Sequence, residues 1–388
     1  MEKFKFIDLF AGIGGFHQAM TSLGGECVFA ADIDDDAVKV YKENYNMDDK
    51  CDLTKVDPKD IPPHDVLCGG FPCQAFSNAG KKKGFNDVRG TLFFDVKRII
   101  EYHKPKFIFL ENVKHLVKHD NGGTWRVIKQ TLLDLGYILP KNEIIASPHE
   151  IGIPQYRPRI YIMGIREDLT NKEFLNIKKP EGNIQTSIYD ILDKEVDKKY
   201  NISEYENLVL TAWNEFKVGI NKDVYGFPVW VEEFGQIYDY SNLPKWKQEY
   251  IKKNRDLYLS NKQFIDQWIE KYNVKSFKLR DKKFEWQAGI GYKTVWDTSI
   301  QLRQSGIRCK KTDYFPALVA MVQTPIIGKY KRRITPREAA RLQSFPENFI
   351  IDKNDQHAYK QFGNSLNIEL VKFFAKQLFN QQGGDNES

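Results

Sequence analysis

Cysteine is scarce in this sequence. The five cysteines in 388 residues (Cys27, Cys51, Cys68, Cys73 and Cys309) are odd in number and follow no repeating spacing. That excludes a secreted disulfide framework and predicts a reducing, intracellular setting. Long apolar runs are missing too, since nowhere do about 18 apolar residues follow one another, the length a membrane span needs. The opening MEKFKFIDLF carries an acid inside a short apolar run and no small-residue cleavage site, so no signal peptide is expected. Nor is there a strong charge of one sign. Lys and Arg number 58 against 52 acidic residues, a net +6, which permits a polyanionic partner without demanding one. Internal repeats and extended low-complexity stretches are also lacking. The rest is ordinary for a folded chain: 28% charged, 41% hydrophobic and 13% aromatic residues, far from the disordered and fibrous extremes. At roughly 100 to 200 residues per domain, the length allows two or three domains.

Phe4 to Phe10 reads as a short buried strand, followed by the turn AGIGG and then FHQAMTSLG at helical spacing. CVFAAD is a second strand ending at Asp32, AVKVYKENY a helix, and HDVLCGG and KPKFIFLEN are further strands with helical material between them. This alternation predicts an α/β fold, a mostly parallel sheet with helices on both faces. Ligands of such sheets collect at the carboxyl ends of the strands, where Asp8, Asp32, the Gly69 to Cys73 turn and Glu111 fall. From Asp168 to about Asp297 the alternation disappears. Six of the seven tryptophans lie between Trp213 and Trp296, which predicts an inserted domain with its own aromatic core and leaves a minority of those rings to touch a ligand. ITPREAARLQSFP carries a Thr cap, a Pro at the first helical position and a Glu three after the cap. A final amphipathic helix is expected around Ile368 to Phe379, then a disordered tail. The expected boundaries are 1–167 for the first part of the α/β domain, 168–325 for the insert, 326–380 for the return and 381–388 for the tail.

The turn Ala11-Gly12-Ile13-Gly14-Gly15 has the form of a cofactor loop, where missing side chains let backbone approach a ligand at a helix N-terminus. His17 stands where the dinucleotide pattern needs a third glycine, which argues against NAD and FAD. Asp32 is placed either to accept hydrogen bonds from ribose hydroxyls or to cap the following helix. In GGFPCQAFS a buried strand ends in two glycines and a Pro presents Cys73 in a loop, the setting of a nucleophile. Cys68, inside the strand, reads as core. Glu111 ends the next apolar run at the same edge and can serve as a proton donor there. His115 and His119 have i, i+4 spacing, but HEXXH is absent and lysines flank them, so no metal site is expected.

Six blocks occur in a fixed order: FIDLFAGIGGF, GGFPCQAFSNAG, FLENVKHL, GIPQYRPRIYIMGI, TPREAARLQSFP and YKQFGNSLNIELV. Together they closely resemble the bacterial DNA cytosine-5 methyltransferases of type II restriction-modification systems, and they cover Phe6 to about Gly164 and about Ile334 to the last helix. The resemblance implies a class I S-adenosylmethionine-dependent, Rossmann-like fold with a smaller inserted target-recognition domain. It implies transfer of a methyl group from S-adenosyl-L-methionine, leaving S-adenosyl-L-homocysteine, to carbon 5 of a cytosine flipped out of double-stranded DNA.

On the same footing, Cys73 is expected to attack carbon 6, Glu111 to hold N3 and the exocyclic amine, Arg159 to hold O2, and Arg157 to support the region of the catalytic cysteine. For the cofactor, Phe10 is expected against the adenine, and Gly12, Ile13, Gly14 and Gly15 along the methionine moiety. Asp32 falls to the ribose, Asp52 to the adenine amine and Pro72 to a backbone contact, with Asn364 and Ser365 closing the pocket. Asp32 stands where the family more often has Glu, and Ile33 where several members carry Trp over the adenine. Gln74, Ser77, Lys81, Lys82, Lys83 and Arg89 fall in the segment that resembles the family's DNA-contacting catalytic loop, and KYKRR near Arg333 is expected to add positive charge. A cytoplasmic monomer is expected, with a cognate restriction endonuclease that is not a stable subunit. Two other readings stay open: a tRNA cytosine-5 methyltransferase, whose Cys-Phe-Thr signature is not found here, and a catalytically silent DNA-binding module.

Overall fold

The computed structural model describes residues 3–48, 50–72, 92–182, 184–220, 226–318 and 323–382. Compactness divides the chain into two units, Met1–Thr186 with Ala317–Met321 and Ala339–Ser388, and Ser187–Pro316 with Val322–Glu338.

The first unit begins with β1 (Phe4–Leu9), α1 (Gly15–Thr21), β2 (Gly25–Ala31), α2 (Asp35–Tyr45) and β3 (Val66–Gly69). It continues through α3 (Leu92–His103), β4 (Phe107–Val113), α4 (Gly123–Asp134), β5 (Tyr137–Ile138), β6 (Ile144–Ala146) and β7 (Arg159–Arg166). Seven strands form one sheet in the order β2-β1-β3-β4-β7-β5, with β6 also on β7. β2, β1, β3 and β4 run parallel, and β7 joins β4 antiparallel. The continuous apolar runs read from the sequence are the strands buried on both faces. Asp34 caps α2, accepting from the Asp36 and Ala37 amides, with Asp35 and Asp36 in the first turn and Asn46 left-handed at the end.

The second unit holds α5 (Glu204–Gly219), β8 (Val229–Trp230), α6 (Lys245–Ser260), α7 (Lys262–Lys271), β9 (Lys283–Gln287), β10 (Ser299–Arg303) and β11 (Gly306–Lys310). β12 (Ile326–Ile327) and β13 (Arg332–Arg333) complete a six-stranded sheet in the order β13-β12-β10-β11-β9-β8. A Ser203–Glu206 capping box starts α5. The aromatic core foreseen from tryptophan clustering is here. Trp213 stacks on Phe284 at 4.7 Å and packs on Trp268, and each indole N–H has a carbonyl partner: Asp281 for Trp213, Ala212 for Trp268. Trp246, 57% exposed, is outside that core.

The chain then forms α8 (Pro336–Leu342), α9 (Asp355–Asn364) and α10 (Ile368–Phe379). Thr335 and Glu338 exchange the two hydrogen bonds of the expected capping box. In the first unit, α3 and α4 bury Phe93, Val96, Ile99 and Ile128 against Leu9, Leu67, Leu110 and Ile162 on one face of the sheet. On the other face Phe16 of α1 and Phe374 of α10 meet Phe109 and Tyr161.

Three boundaries differ from the sequence reading. The first unit continues past 167 to Thr186 because Leu175 N–H bonds the Leu139 carbonyl and Lys178 N–H bonds Gln377. Residues 326–338 stay with the second unit because β12 pairs with β10 and with β13. Gln381, assigned to the tail, is buried and its amide holds both the N–H and the carbonyl of Asn176; residues 383–388 lie outside the described ones.

Candidate active site

Leu9 pairs with Ala31 and with Gly69, and Gly69 pairs with Leu110. Phe10, Asp32, Gly70 and Glu111 therefore stand level along one edge of the sheet. They border a cavity of about 510 Å³ in the first unit, which the return segment Lys360–Leu366 closes. Phe10, Gly12, Ile13, Gly15, Asp32, Ile33, Asp52, Pro72, Glu111, Arg157, Arg159, Asn364 and Ser365, all singled out in the sequence, line it. Cys73, Gln74, Ser77, Lys81, Lys82, Lys83 and Arg89 lie outside the described residues.

The turn from β1 to α1 is drawn back onto β2. Phe10 takes a left-handed φ of 57°, unusual for a bulky residue. Ala11 N–H bonds the Ala31 carbonyl and Gly12 N–H donates to Asp32 Oδ2 at 2.8 Å. Asp32 Oδ1 accepts the Asp34 amide at 2.8 Å. Asp32 is thus no helix cap; Asp34 has that place. Each Asp32 oxygen still has acceptor capacity for a hydroxyl. Gly15 must be glycine because a Cβ there would come within 3.0 Å of Ser365 Oγ and closer still to Leu366. Asp52 accepts the Thr54 amide and hydroxyl and pairs with Lys55 at 3.0 Å. Gly14 departs from the sequence reading: it is absent from the cavity wall, and a Cβ on it would strike the Tyr45 ring.

At the other end of the cavity, Glu111 and Arg159 form an ion pair, Nε to Oε1 3.0 Å, with 12% and 16% of their side chains exposed. The contact lacks hydrogen-bond alignment, and Oε1 has no hydrogen-bond partner among the described residues. Burial pushes the Glu111 carboxyl up from the usual range, while Arg159 and Arg157 pull it part of the way back. Arg157 is buried and donates to three carbonyls: Leu318 at 3.0 Å, Gly363 at 2.8 Å and Ser365 at 2.7 Å. Burial, then Arg159, lower its pKa to about 9, so it stays charged at neutral pH. Its described contacts bind the return segment to the cavity; the region of Cys73, which it was expected to support, lies outside the described residues.

Several residues of the site were not singled out by sequence. Asn112 donates to the Phe71 carbonyl at 2.8 Å and accepts the Val113 amide. Lys360 reaches Asp34 at 2.6 Å, Gln361 donates to the Asp36 carbonyl, and His357 lies 3.3 Å from Asp36 and 3.5 Å from Asp352. Burial opposes ionisation of Asp34, but Lys360 and the Ala37 and Asp36 amides outweigh it and hold the carboxyl below its ordinary range. The FLEN and YKQFGN blocks as wholes signalled Asn112, Lys360 and Gln361, and nothing in the sequence signalled His357. The His119 ring bonds the Thr124 hydroxyl, and His115 lies edge-on to it with ring centroids 6.2 Å apart. The KYKRR stretch supplies less free charge than expected. Arg332 is buried on Glu338, and Arg333 pairs with Glu206.

A family model described as C-5 cytosine-specific DNA methylase matches residues 4–380. The chain belongs to the C-5 cytosine-specific DNA methylases. As a member, the methylase transfers the methyl group of S-adenosyl-L-methionine to carbon 5 of cytosine in DNA. It is 34% identical to the Type II methyltransferase M.HhaI of Haemophilus parahaemolyticus, over 96% of this chain and 94% of that one. Identity to the Type II methyltransferase M.NlaX of Neisseria lactamica is 35%, covering 97% and 96%. The methylase shares its fold with a putative DNA modification methyltransferase encoded within an Escherichia coli prophage and with a mutant of Spodoptera frugiperda DNMT2. Each has a TM-score of 0.57 at 19% identity, covering 97% of this chain and 99% of the other. No helix among the described residues is long and apolar enough to cross a membrane.

Proposed function

We propose that the methylase acts on a cytosine swung out of duplex DNA, through a covalent bond between Cys73 and carbon 6, with Glu111 and Arg159 holding the base. The observation that supports this most is Glu111 Oε1, buried at the cavity edge beside Arg159 and without a hydrogen bond among the described residues. A carboxyl raised by burial suits donation to N3, and its carbonyl oxygen can accept from the exocyclic amine. Arg159 is positioned to turn its guanidinium to O2. Carbon 5 of cytosine is too weak a nucleophile unaided; addition of the Cys73 thiolate at carbon 6 moves electron density onto it. Once carbon 5 has bonded the methyl group, a base removes the carbon 5 proton, and the electron pair left behind expels the thiolate.

The lining residues fit S-adenosyl-L-methionine, which when bound supplies an electrophilic methyl group. Asp32 offers acceptors to ribose hydroxyls, Asp52 to the adenine amine, and Phe10 and Ile33 offer apolar surface to the adenine. Gly12, Ile13 and Gly15 leave room for the methionine part, with Pro72, Asn364 and Ser365 around it. The second unit is the target-recognition domain in this reading. In this reading the enzyme is a cytoplasmic monomer, and the Type II names of the relatives support a role in protecting DNA from a cognate restriction endonuclease.

Duplex DNA carrying 5-fluorocytosine tests the mechanism, because fluorine at carbon 5 cannot leave as a proton does. With S-adenosyl-L-methionine present, the wild type is expected to form a complex with that DNA that survives denaturing electrophoresis, and Cys73→Ser to form none while still binding DNA. A wild type that methylates ordinary DNA without ever trapping on the fluorinated duplex sinks the reading.

A further inference from the structure

Behind the glycine loop, on the side away from the cavity, lies an aromatic and polar cluster that the methyl transfer does not use. Tyr45, the last residue of α2, directs its hydroxyl at two loop carbonyls, Ile13 and Gly14, at 3.1 Å each. The His17 ring stacks on Tyr45 with centroids 3.8 Å apart and planes at 16°. His17 Nδ1 lies 2.7 Å from the Tyr41 hydroxyl, and the His17 amide donates to buried Asp8 at 3.1 Å. Gly14, at φ 82°, accommodates the arrangement: a Cβ there would come to 2.3 Å from the Tyr45 ring.

From this geometry we propose that Tyr45, seated by His17, is a positioning residue that sets the shape of the cofactor loop. The proposal rests on the reading that this loop binds S-adenosyl-L-methionine. One hydroxyl hydrogen is shared between two consecutive carbonyls, and Ile13 and Gly15 on either side of Gly14 face the cavity. Without that hydroxyl the Ile13 carbonyl loses its bond to α2 and the Gly14 carbonyl is left to the Gln18 amide of α1, so the loop can shift its amides out of register with the ligand. Gly14 accordingly owes its identity to Tyr45 rather than to the ligand. His17, at the place of a third glycine in dinucleotide enzymes, supplies the ring that holds Tyr45 in place.

Tyr45→Phe in the full chain keeps the ring and its packing and removes only the hydroxyl. Loss of the one hydroxyl hydrogen, shared between the two carbonyls, predicts a rise of about fivefold in Kd and KM for S-adenosyl-L-methionine. kcat at saturating cofactor and KM for DNA are expected within about twofold of the wild type, because uniform binding alone is lost. Asp32→Ala is measured beside it by the same cofactor titration. If Asp32→Ala weakens cofactor binding and Tyr45→Phe does not, Tyr45 is no positioning residue although the loop reading stands. If neither changes Kd, the loop reading fails and takes the proposal with it. A fall in kcat and a rise in both KM values together would mark Tyr45 as general scaffolding and equally overturn the proposal.

Discussion

Asn112 Nδ2 donates to the Phe71 carbonyl at 2.8 Å, fixing the backbone one residue before Pro72 and two before Cys73. The same side chain accepts the Val113 amide, so strand β4 holds the end of β3's extension two residues in sequence before the proposed nucleophile. Asn112→Ala is expected to leave the Phe71 carbonyl unpaired inside the protein, at a cost of about 1 to 3 kcal/mol. Because Phe71 would lose its anchor two residues before the proposed nucleophile, kcat should fall by about tenfold to a hundredfold, with Kd for S-adenosyl-L-methionine little changed. Single-turnover methylation and a cofactor titration on the same preparation check both halves. Unchanged kcat would detach Asn112 from the presentation of Cys73.

Acid should destabilise the methylase well before its carboxylates are titrated. Burial lowers His17 and His64 from 6.5 to about 4, so each is neutral in the fold and more readily protonated once unfolded. Their contribution is whole above pH 6.5 and is lost progressively as the pH falls toward 4, by roughly 3 kcal/mol for each histidine. Urea unfolding at pH 7, 6 and 5 should show midpoints falling through this window. His64→Gln, which cannot charge, should flatten part of the slope. Midpoints that hold steady down to pH 5 would contradict both assignments.

Glu338 gathers four donors. Arg332 reaches it through Nη1 at 2.9 Å and Nη2 at 2.7 Å, and it also accepts the amides of Thr335 and Asp193. With Glu338 fully buried and Arg332 nearly so, Glu338→Ala leaves an uncompensated guanidinium, a loss of about 3 to 5 kcal/mol. Indole fluorescence should report it, since six of the seven tryptophans are in this unit. Replacing both partners, as Arg332→Met with Glu338→Leu, should recover much of the midpoint. A double variant no better than the single one would argue against an ion-pair origin.

Much of the catalytic unit was legible because a parallel sheet writes itself into sequence as apolar runs ending in glycine or acid. FKFIDLF, CVFAAD and FIFLEN mark three strand ends whose register then places Phe10, Asp32 and Glu111 side by side. What escaped were residues whose partners are distant in the chain. Nothing near Lys360 announces that it pairs with Asp34, and a buried Arg332 looks, in KYKRR, like a surface charge. Gly14 shows the same limit at short range. A glycine in a cofactor loop reads as room for a ligand, whereas here the room is taken by Tyr45 from the end of the next helix. The Asp32 ambiguity had a local answer, two residues on, because an aspartate at position 34 reaches the first free amides of α2 with better geometry.

The closure of the cavity by Lys360 to Leu366 has a consequence for biosynthesis. Asp34 and Lys360 are separated by 326 positions, and at about 5 to 20 residues per second the ribosome needs roughly 15 to 65 seconds to go from one to the other. Within that interval the strands of the sheet edge are completed at Arg166, long before the wall that closes the cavity is synthesised. A nascent methylase therefore completes the proposed cofactor site in one late step, and chains that stop short of this segment carry Asp32 and Glu111 at a sheet edge without the wall that closes the cavity.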